Sequence, residues 1–278
     1  MIPLALLLAV LFGMNMGGSG ISPAFAAPYG AGVISRNKAA FLFGFFVLLG
    51  AFLAGGPVVK TISGGIIPQD FIDTKVTLVI LLSATASLFL ANFLRVAVST
   101  SSVTVFSLIS VGIYFDKLYS SALIRIFSFW LLLPVLSYLI TYLSAKYILP
   151  LENKPWIKKH GNYLKVFVIA TGCYVAFSIG SNNVANAVGP LVGSGIVSKE
   201  LGFLLIAPVF GVGGWLFKKI LNTIGKEITP IGLLGASLSG IVVGSLLLLA
   251  SAFGIPEPIV MMDATSIMGI GSANSGHK

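Results

Sequence analysis

Apolar residues run almost without interruption over 39–56, 76–94, 121–148, 163–179, 201–217 and 231–253. These lengths lie at or near the roughly 20 residues that a helix needs to cross a hydrocarbon layer about 30 Å thick. None of the runs alternates at every second position as a barrel strand does. The pattern predicts an all-α membrane protein, a polytopic helical bundle. Two other segments, 17–34 and 180–197, are rich in Gly, Ala, Ser and Pro. Irregular backbone at membrane depth is tolerated only where protein or a water-filled cavity satisfies its polar groups. Each segment is therefore expected to form re-entrant half-helices.

The chain contains itself twice. GGSGISPAFAAPYGAGVIS (17–35) lies without a gap on GSNNVANAVGPLVGSGIVS (180–198), at an offset of 163. Gly17/Gly180, Gly30/Gly193, Gly32/Gly195 and Ser35/Ser198 coincide. KTISGGIIP (60–68) matches NTIGKEITP (222–230) at an offset of 162, and Ser101 and Ser102 pair with Thr265 and Ser266 at 164. Membrane repeats of this kind are commonly inverted, with the substrate site between them at the midplane. Two inverted-topology repeats are expected: 1–149, a basic cytoplasmic linker at 150–165, and 166–278. The counterpart of the long helix within 98–148 would extend past Lys278, so the second repeat is expected to be truncated or completed by a partner chain.

Composition fixes the medium. With 56% hydrophobic and 9% charged residues and a mean hydropathy of +1.02, the chain is far more apolar than a soluble domain. Its net charge of +9 is scattered over short loops, which reads as topogenic charge and not as a nucleic-acid face. The cluster Lys154, Lys158, Lys159, His160 and Lys165 is placed inside the cell. Arg36, Lys38, Lys218, Lys219 and Lys226 then fall on the same side, with Lys60, Lys117 and Lys199 as exceptions. The single Cys173 can form no intrachain disulfide. The N-terminal apolar run lacks the basic n-region of a cleaved signal peptide.

The chemistry follows from the small polar segments. A half-helix that starts at the midplane presents unpaired N–H groups and a partial positive charge. Glycine lets the backbone approach a ligand, and Asn and Ser add neutral donors. Ser19, Gly20, Asn182, Asn183, Asn186, Ser101, Ser102, Thr265 and Ser266 are the expected anion-binding residues. Close helix packing by Gly, Ala and Ser is the competing use of the same residues. Asp263 and Glu257 are the acids expected to serve coupling or gating. Asp70, Asp73 and Asp116 are assigned to loops, and Arg95 to an interfacial, snorkelling position. No HExxH or G-x-S-x-G motif and no paired acids on a helix point to an enzyme.

GSNNVANAVGPLVGSG resembles the duplicated Gly-Ala-Asn-Asp-x-Ala-Asn-Ala-x-Gly-Pro signature of the inorganic phosphate transporter (PiT) family. The N-terminal form, MNMGGSGISPAFAAPYGAG, looks most like the CysP-type sulfate permeases of that family. The signature Asp is Asn183 in the second copy and Gly20 in the first, where Ser19 and Pro23 replace the amides. Hydrogen phosphate can donate to a buried carboxylate, whereas sulfate only accepts, so the lost acids favour sulfate.

The resemblance implies a secondary transporter of the plasma membrane, with no cofactor or metal. Protons are the expected coupling ion and sodium stays open, because hard cations prefer carboxylates that are missing here. The expected partners are sulfate or a related oxyanion and the lipid bilayer, with a homo-oligomer left open. The alternatives are a phosphate:sodium or phosphate:proton symporter and a passive anion channel.

Overall fold

The computed structural model describes residues 1–94, 98–155, 161–217 and 231–275. Among them the chain forms ten α-helices: α1 (Ile2–Gly30), α2 (Arg36–Ala54), α3 (Gly56–Gly64), α4 (Thr74–Leu94), α5 (Thr100–Phe115), α6 (Ser120–Ile148), α7 (Gly161–Gly193), α8 (Lys199–Leu216), α9 (Gly232–Ala252) and α10 (Ile259–Ser275). Seven of these, α1, α2, α4 and α6 to α9, are long and apolar enough to cross a membrane. The protein is an all-helical, multi-pass membrane protein.

The repeat is visible in the packing. α1 packs on α8 as α2 packs on α7, and α1 meets α4 as α7 meets α9. A Cβ on Gly17 would collide with the Phe210 backbone, and one on Gly180 with the Val47 backbone; Gly50 and Gly213 stand in the same way against Phe177 and Met14. Every member of these reciprocal pairs is related by the offset of 163. The turns after α1 and α7 match too, with Gly32 at φ 67° and Gly195 at φ 69°, the left-handed conformation that glycine adopts without strain.

Direction settles the topology. Gly20 lies against Ile179, and Gly172 against Ala24 and Phe25, so the index rises along α1 as it falls along α7. The two counterpart helices are antiparallel, and the repeats are therefore inverted. Phe12, Phe25, Phe43, Phe203 and Phe210, all fully buried, fill the centre formed by α1, α2, α7 and α8.

Three expectations change. Segments 17–34 and 180–197 are not broken: residues 17–30 complete the 29-residue α1, and 180–193 complete the 33-residue α7. The small residues there permit backbone-to-backbone approach within continuous helices. Helices too short to cross lie elsewhere, in the nine-residue α3 and the 16-residue α5. The pairing of Ser101 and Ser102 with Thr265 and Ser266 also fails. α5 begins at Thr100 and α10 at Ile259, an offset of 159, so Ser101 corresponds to Val260. Finally, residues 161–165 of the expected linker already belong to α7.

Asp73 caps α4, its Oδ1 accepting from the Val76 N–H at 2.8 Å. Asp116 ends α5 at φ 53°, and Asp70 lies in a short 3-10 turn, so all three acids sit outside the long helices as expected. Arg95, the basic residues 158–160, Lys218, Lys219, Lys226 and the repeat block 222–230 lie outside the described residues.

Because the Gly17 and Gly180 contacts are with backbone, neither neighbour can rotate away. Gly180→Val and Gly17→Val are each expected to destabilise the fold by roughly 3 kcal/mol or more. Gly271→Ala, where an added Cβ meets nothing within 4 Å, is expected to change stability by about 1 kcal/mol or less. Thermal unfolding in detergent, with the yield of monodisperse protein, checks both.

Candidate functional site

The segment Ser178–Asn186 of α7 is the polar centre of the bundle: Ser178, Ser181, Asn182 and Asn186 are fully buried, and Asn183 is 4% exposed. The three asparagines point to different places and make different bonds.

Asn182 is spent on structure. Its Nδ2 donates to Ser251 Oγ at 3.0 Å and to Ile255 O at 2.8 Å, while its Oδ1 accepts from the Glu257 N–H at 2.9 Å. Both amide hydrogens and the carbonyl are thus used by the protein. Ser251 also meets Ser181 Oγ at 3.0 Å and donates to Leu247 O at 2.9 Å. This cluster fastens α7 to the non-helical connection between α9 and α10. Trp130 of α6 grips the same connection, its Nε1 donating to Pro256 O at 2.9 Å.

Asn186 faces the start of α5. Its Nδ2 donates to the fully buried Ser101 Oγ at 3.1 Å, which leaves the hydroxyl hydrogen of Ser101 free to donate. The Asn186 Oδ1 is buried with no partner among the described residues. Pro190, four residues on, has no N–H, so the Asn186 carbonyl is released from the helical ladder as well.

Helix α5 has the N-terminus expected of an anion-facing helix. Ser99 Oγ accepts from the Ser102 N–H at 3.3 Å, and the Val103 N–H bonds to Ser99 O at 3.1 Å. The N–H groups of Thr100 and Ser101 are left without an intrahelical acceptor, at the positive end of the helix dipole. Thr104 Oγ1 is turned back to Thr100 O at 3.2 Å. Asn183 adds a further amide whose buried Oδ1 finds no partner among the described residues.

The other expected residues do not join this group. Ser266 Oγ donates to Ser239 Oγ at 2.8 Å and meets Thr141 Oγ1 at 2.9 Å, tying α10 to α9 and α6. Thr265 bonds back to Met261 O and Met262 O on its own helix. Ser19 does the same with Met16 O at 3.2 Å, and Gly20 packs beside Phe43. Asp263 is half-buried on α10. Glu257 is fully buried, and neither of its carboxyl oxygens has a partner among the described residues.

Ser99 and Thr100 directly precede the Ser101 and Ser102 singled out in the sequence, but the capping role of Ser99 did not follow from it. Ser251 and Trp130 carried no signal at all, because a lone serine or tryptophan in an apolar helix reads as packing.

The same family model, the phosphate transporter family, matches residues 16–160 and 151–278. The chain belongs to the phosphate transporter family. Within that family it is 38% identical over 275 residues to a sulfate permease of Bacillus subtilis, CysP, covering 98% of this chain and 77% of that protein. It is 26% identical over 132 residues to the human sodium-dependent phosphate transporter 1, covering 43% of this chain and 19% of the human one. A solved sodium-dependent phosphate transporter superposes with a TM-score of 0.83 at 22% identity, over 98% of this chain and 89% of that one. Likeness at that identity establishes the fold. Membership of the phosphate transporter family makes this chain an anion transporter and not an enzyme.

The bonding of the asparagines separates strut from site. Asn182→Ala, which removes three buried hydrogen bonds at about 1 kcal/mol each and orphans their partners, is expected to destabilise the protein by roughly 2–4 kcal/mol. Asn183→Ala, which loses none of these bonds, is expected to stay within about 1 kcal/mol of wild type. Parallel thermal melts in detergent measure the contrast.

Proposed function

We propose that this chain is a secondary active permease for inorganic sulfate, coupled to protons and working by alternating access in the plasma membrane. The observation that carries the reading is the donor set beside α5. Ser101 and Asn186 are hydrogen-bonded to each other, two N–H groups with no acceptor among the described residues open the helix, and Asn183 stands where the family signature has an acid. Sulfate is fully ionised near neutral pH and offers only acceptors. A site of amide, hydroxyl and backbone donors suits it, whereas a carboxylate at 183 would add repulsion and, unlike an amide, could turn no donor toward the anion.

In this reading Asn183, Asn186, Ser101, Ser102 and the N–H groups of Thr100 and Ser101 contact the anion. Asn182 holds the adjoining backbone in place. The similarity over nearly the whole chain to a protein named a sulfate permease supports the same substrate. Proton coupling is favoured over sodium because both signature aspartate positions, Gly20 and Asn183, lack the carboxylate a hard cation prefers.

The second reading is phosphate, which the family description and the human relative's name favour. Radiolabelled uptake into proteoliposomes separates the two: saturable uptake of phosphate without sulfate overturns the sulfate reading. Asn183→Asp is expected to lower sulfate uptake at neutral pH roughly tenfold or more, about 1.4 kcal/mol of transition-state or binding energy. Ser101→Ala is expected to lower it by a similar factor. Unchanged sulfate uptake in Asn183→Asp removes that residue from the anion's surroundings.

A further inference from the structure

The connection between α9 and α10, Gly254-Ile255-Pro256-Glu257-Pro258, is wholly buried, yet each of its backbone N–H groups is bonded. The N–H of Gly254 bonds to Ser251 O at 2.9 Å and that of Ile255 to Ala250 O at 2.8 Å. The N–H of Glu257 reaches Asn182 Oδ1, and the carbonyls of Ile255 and Pro256 receive Asn182 Nδ2 and Trp130 Nε1. Pro258 O accepts from the Met261 N–H at 3.1 Å, and the two prolines have no N–H to satisfy. Against these paired N–H groups, the one side chain with polar atoms in the segment is left with nothing: both carboxyl oxygens of Glu257 are buried and unpartnered among the described residues.

Among the described residues, the surroundings offer no counter-charge. The elements packed around the connection carry Lys60 on α3, Arg125 and Lys146 on α6, Lys165 on α7 and Asp263 on α10, together with Cys173 and Tyr174 on α7 and Tyr138, Tyr142 and Tyr147 on α6. None of them makes an ion pair or a hydrogen bond with Glu257, and the salt bridge found among the described residues, Lys199 to Glu200 at 3.3 Å, is on the surface. A carboxylate held in this way is far more costly to bury than a neutral acid. The closed arrangement therefore accommodates Glu257 with a proton on it.

Resting on the proton-coupled reading above, we infer that Glu257 is the proton-carrying residue of the transport cycle, loaded as the neutral acid whenever the bundle closes over it. When the bundle is open to one side, the carboxylate takes a proton from water there. It crosses as the acid and returns the proton to water on the other side, becoming a carboxylate again. Nothing else is made or broken. The same step serves the anion, because Asn182, which holds the Glu257 N–H, adjoins Asn183 in the chain, and a charged Glu257 would repel sulfate. Asp263 is the weaker candidate because it is only half-buried.

The test uses the full chain in liposomes holding a pH-reporting dye, with labelled sulfate outside or on both sides. Wild type should acidify the lumen as sulfate enters, and acid outside should drive its accumulation. Glu257→Gln should keep sulfate:sulfate exchange within about threefold of wild type, while gradient-driven accumulation and sulfate-linked acidification fall by roughly tenfold or more. Glu257→Asp should retain acidification and shift the pH of half-maximal uptake by about half a unit or more.

Wild-type acidification in Glu257→Gln overturns the assignment, and so does loss of exchange together with uptake in a Glu257→Gln protein that melts normally. Should Glu257→Gln not fold, an unmoved pH profile in Glu257→Asp overturns it. Wild-type sulfate uptake indifferent to the pH gradient removes proton coupling itself, a different failure from any of these.

Discussion

Backbone buried among membrane helices has no water to fall back on, and the non-helical stretch 254–258 meets that constraint by using up a nearby amide. Asn182 supplies one donor and one acceptor to it and a second donor to Ser251 at the end of α9, and Trp130 supplies one more donor to the stretch. Proline at 256 and 258 removes two N–H groups that would otherwise need partners. This arrangement fixes where α9 ends and α10 begins, and it holds α7 against both. It also sets the division of labour along SNNVAN: one asparagine is committed to the connection, the last is bonded to Ser101, and in the proposed function Asn183 and Asn186 face the anion.

The two repeats share a plan and have diverged at the starts of their short helices. Counterpart glycines at 17 and 180 still take the same backbone contacts, and the turns at Gly32 and Gly195 still share a conformation. At the start of the short helices the resemblance ends. Helix α5 opens with Ser99, Thr100, Ser101 and Ser102, whereas α10 opens after Pro256, Glu257 and Pro258. One end is rich in neutral donors and the other holds a carboxyl group. In the proposed cycle the inherited two-fold plan thus becomes an anion end and a proton end.

The long helices and the inverted duplication were legible in the sequence because both rest on strong signals: unbroken apolar runs, and glycines that no other residue can replace at a backbone contact. The state of 17–34 and 180–197 was not legible. Gly, Ala, Ser and Pro serve a broken helix and a tightly packed continuous one equally well, and only the neighbours at Phe210 and Val47 decide between them. The misplaced pairing of Thr265 and Ser266 has a similar origin. The offset falls from 163 at α2 to 158 at the start of α4, where Thr74 answers to Gly232, and the connection that absorbs the change offers no motif to show it. Nor could sequence divide the three asparagines, because their roles depend on Ser251, Ile255 and Ser101, residues distant in the chain.

Moving the acid is not by itself enough to admit a dianion. Coulomb repulsion falls only as the first power of distance and is weakly screened in a dry interior. A carboxylate at 257 would therefore still be felt at the sulfate, even with Asn182 between it and Asn183. What the altered position changes is the environment. In the proposed site an acid at 183 would share the anion's donors, Ser101, Asn186 and the α5 N-terminus, which would stabilise its charged form in competition with the substrate. At 257 the carboxyl group has no donor among the described residues, so in the proposed cycle the same chemical group is held as the neutral acid and leaves those donors to the anion. In that cycle protonation at 257 and the missing acid at 183 are two halves of one electrostatic solution, in which the hydrogen-bond donors near α5 are kept for a ligand that can only accept.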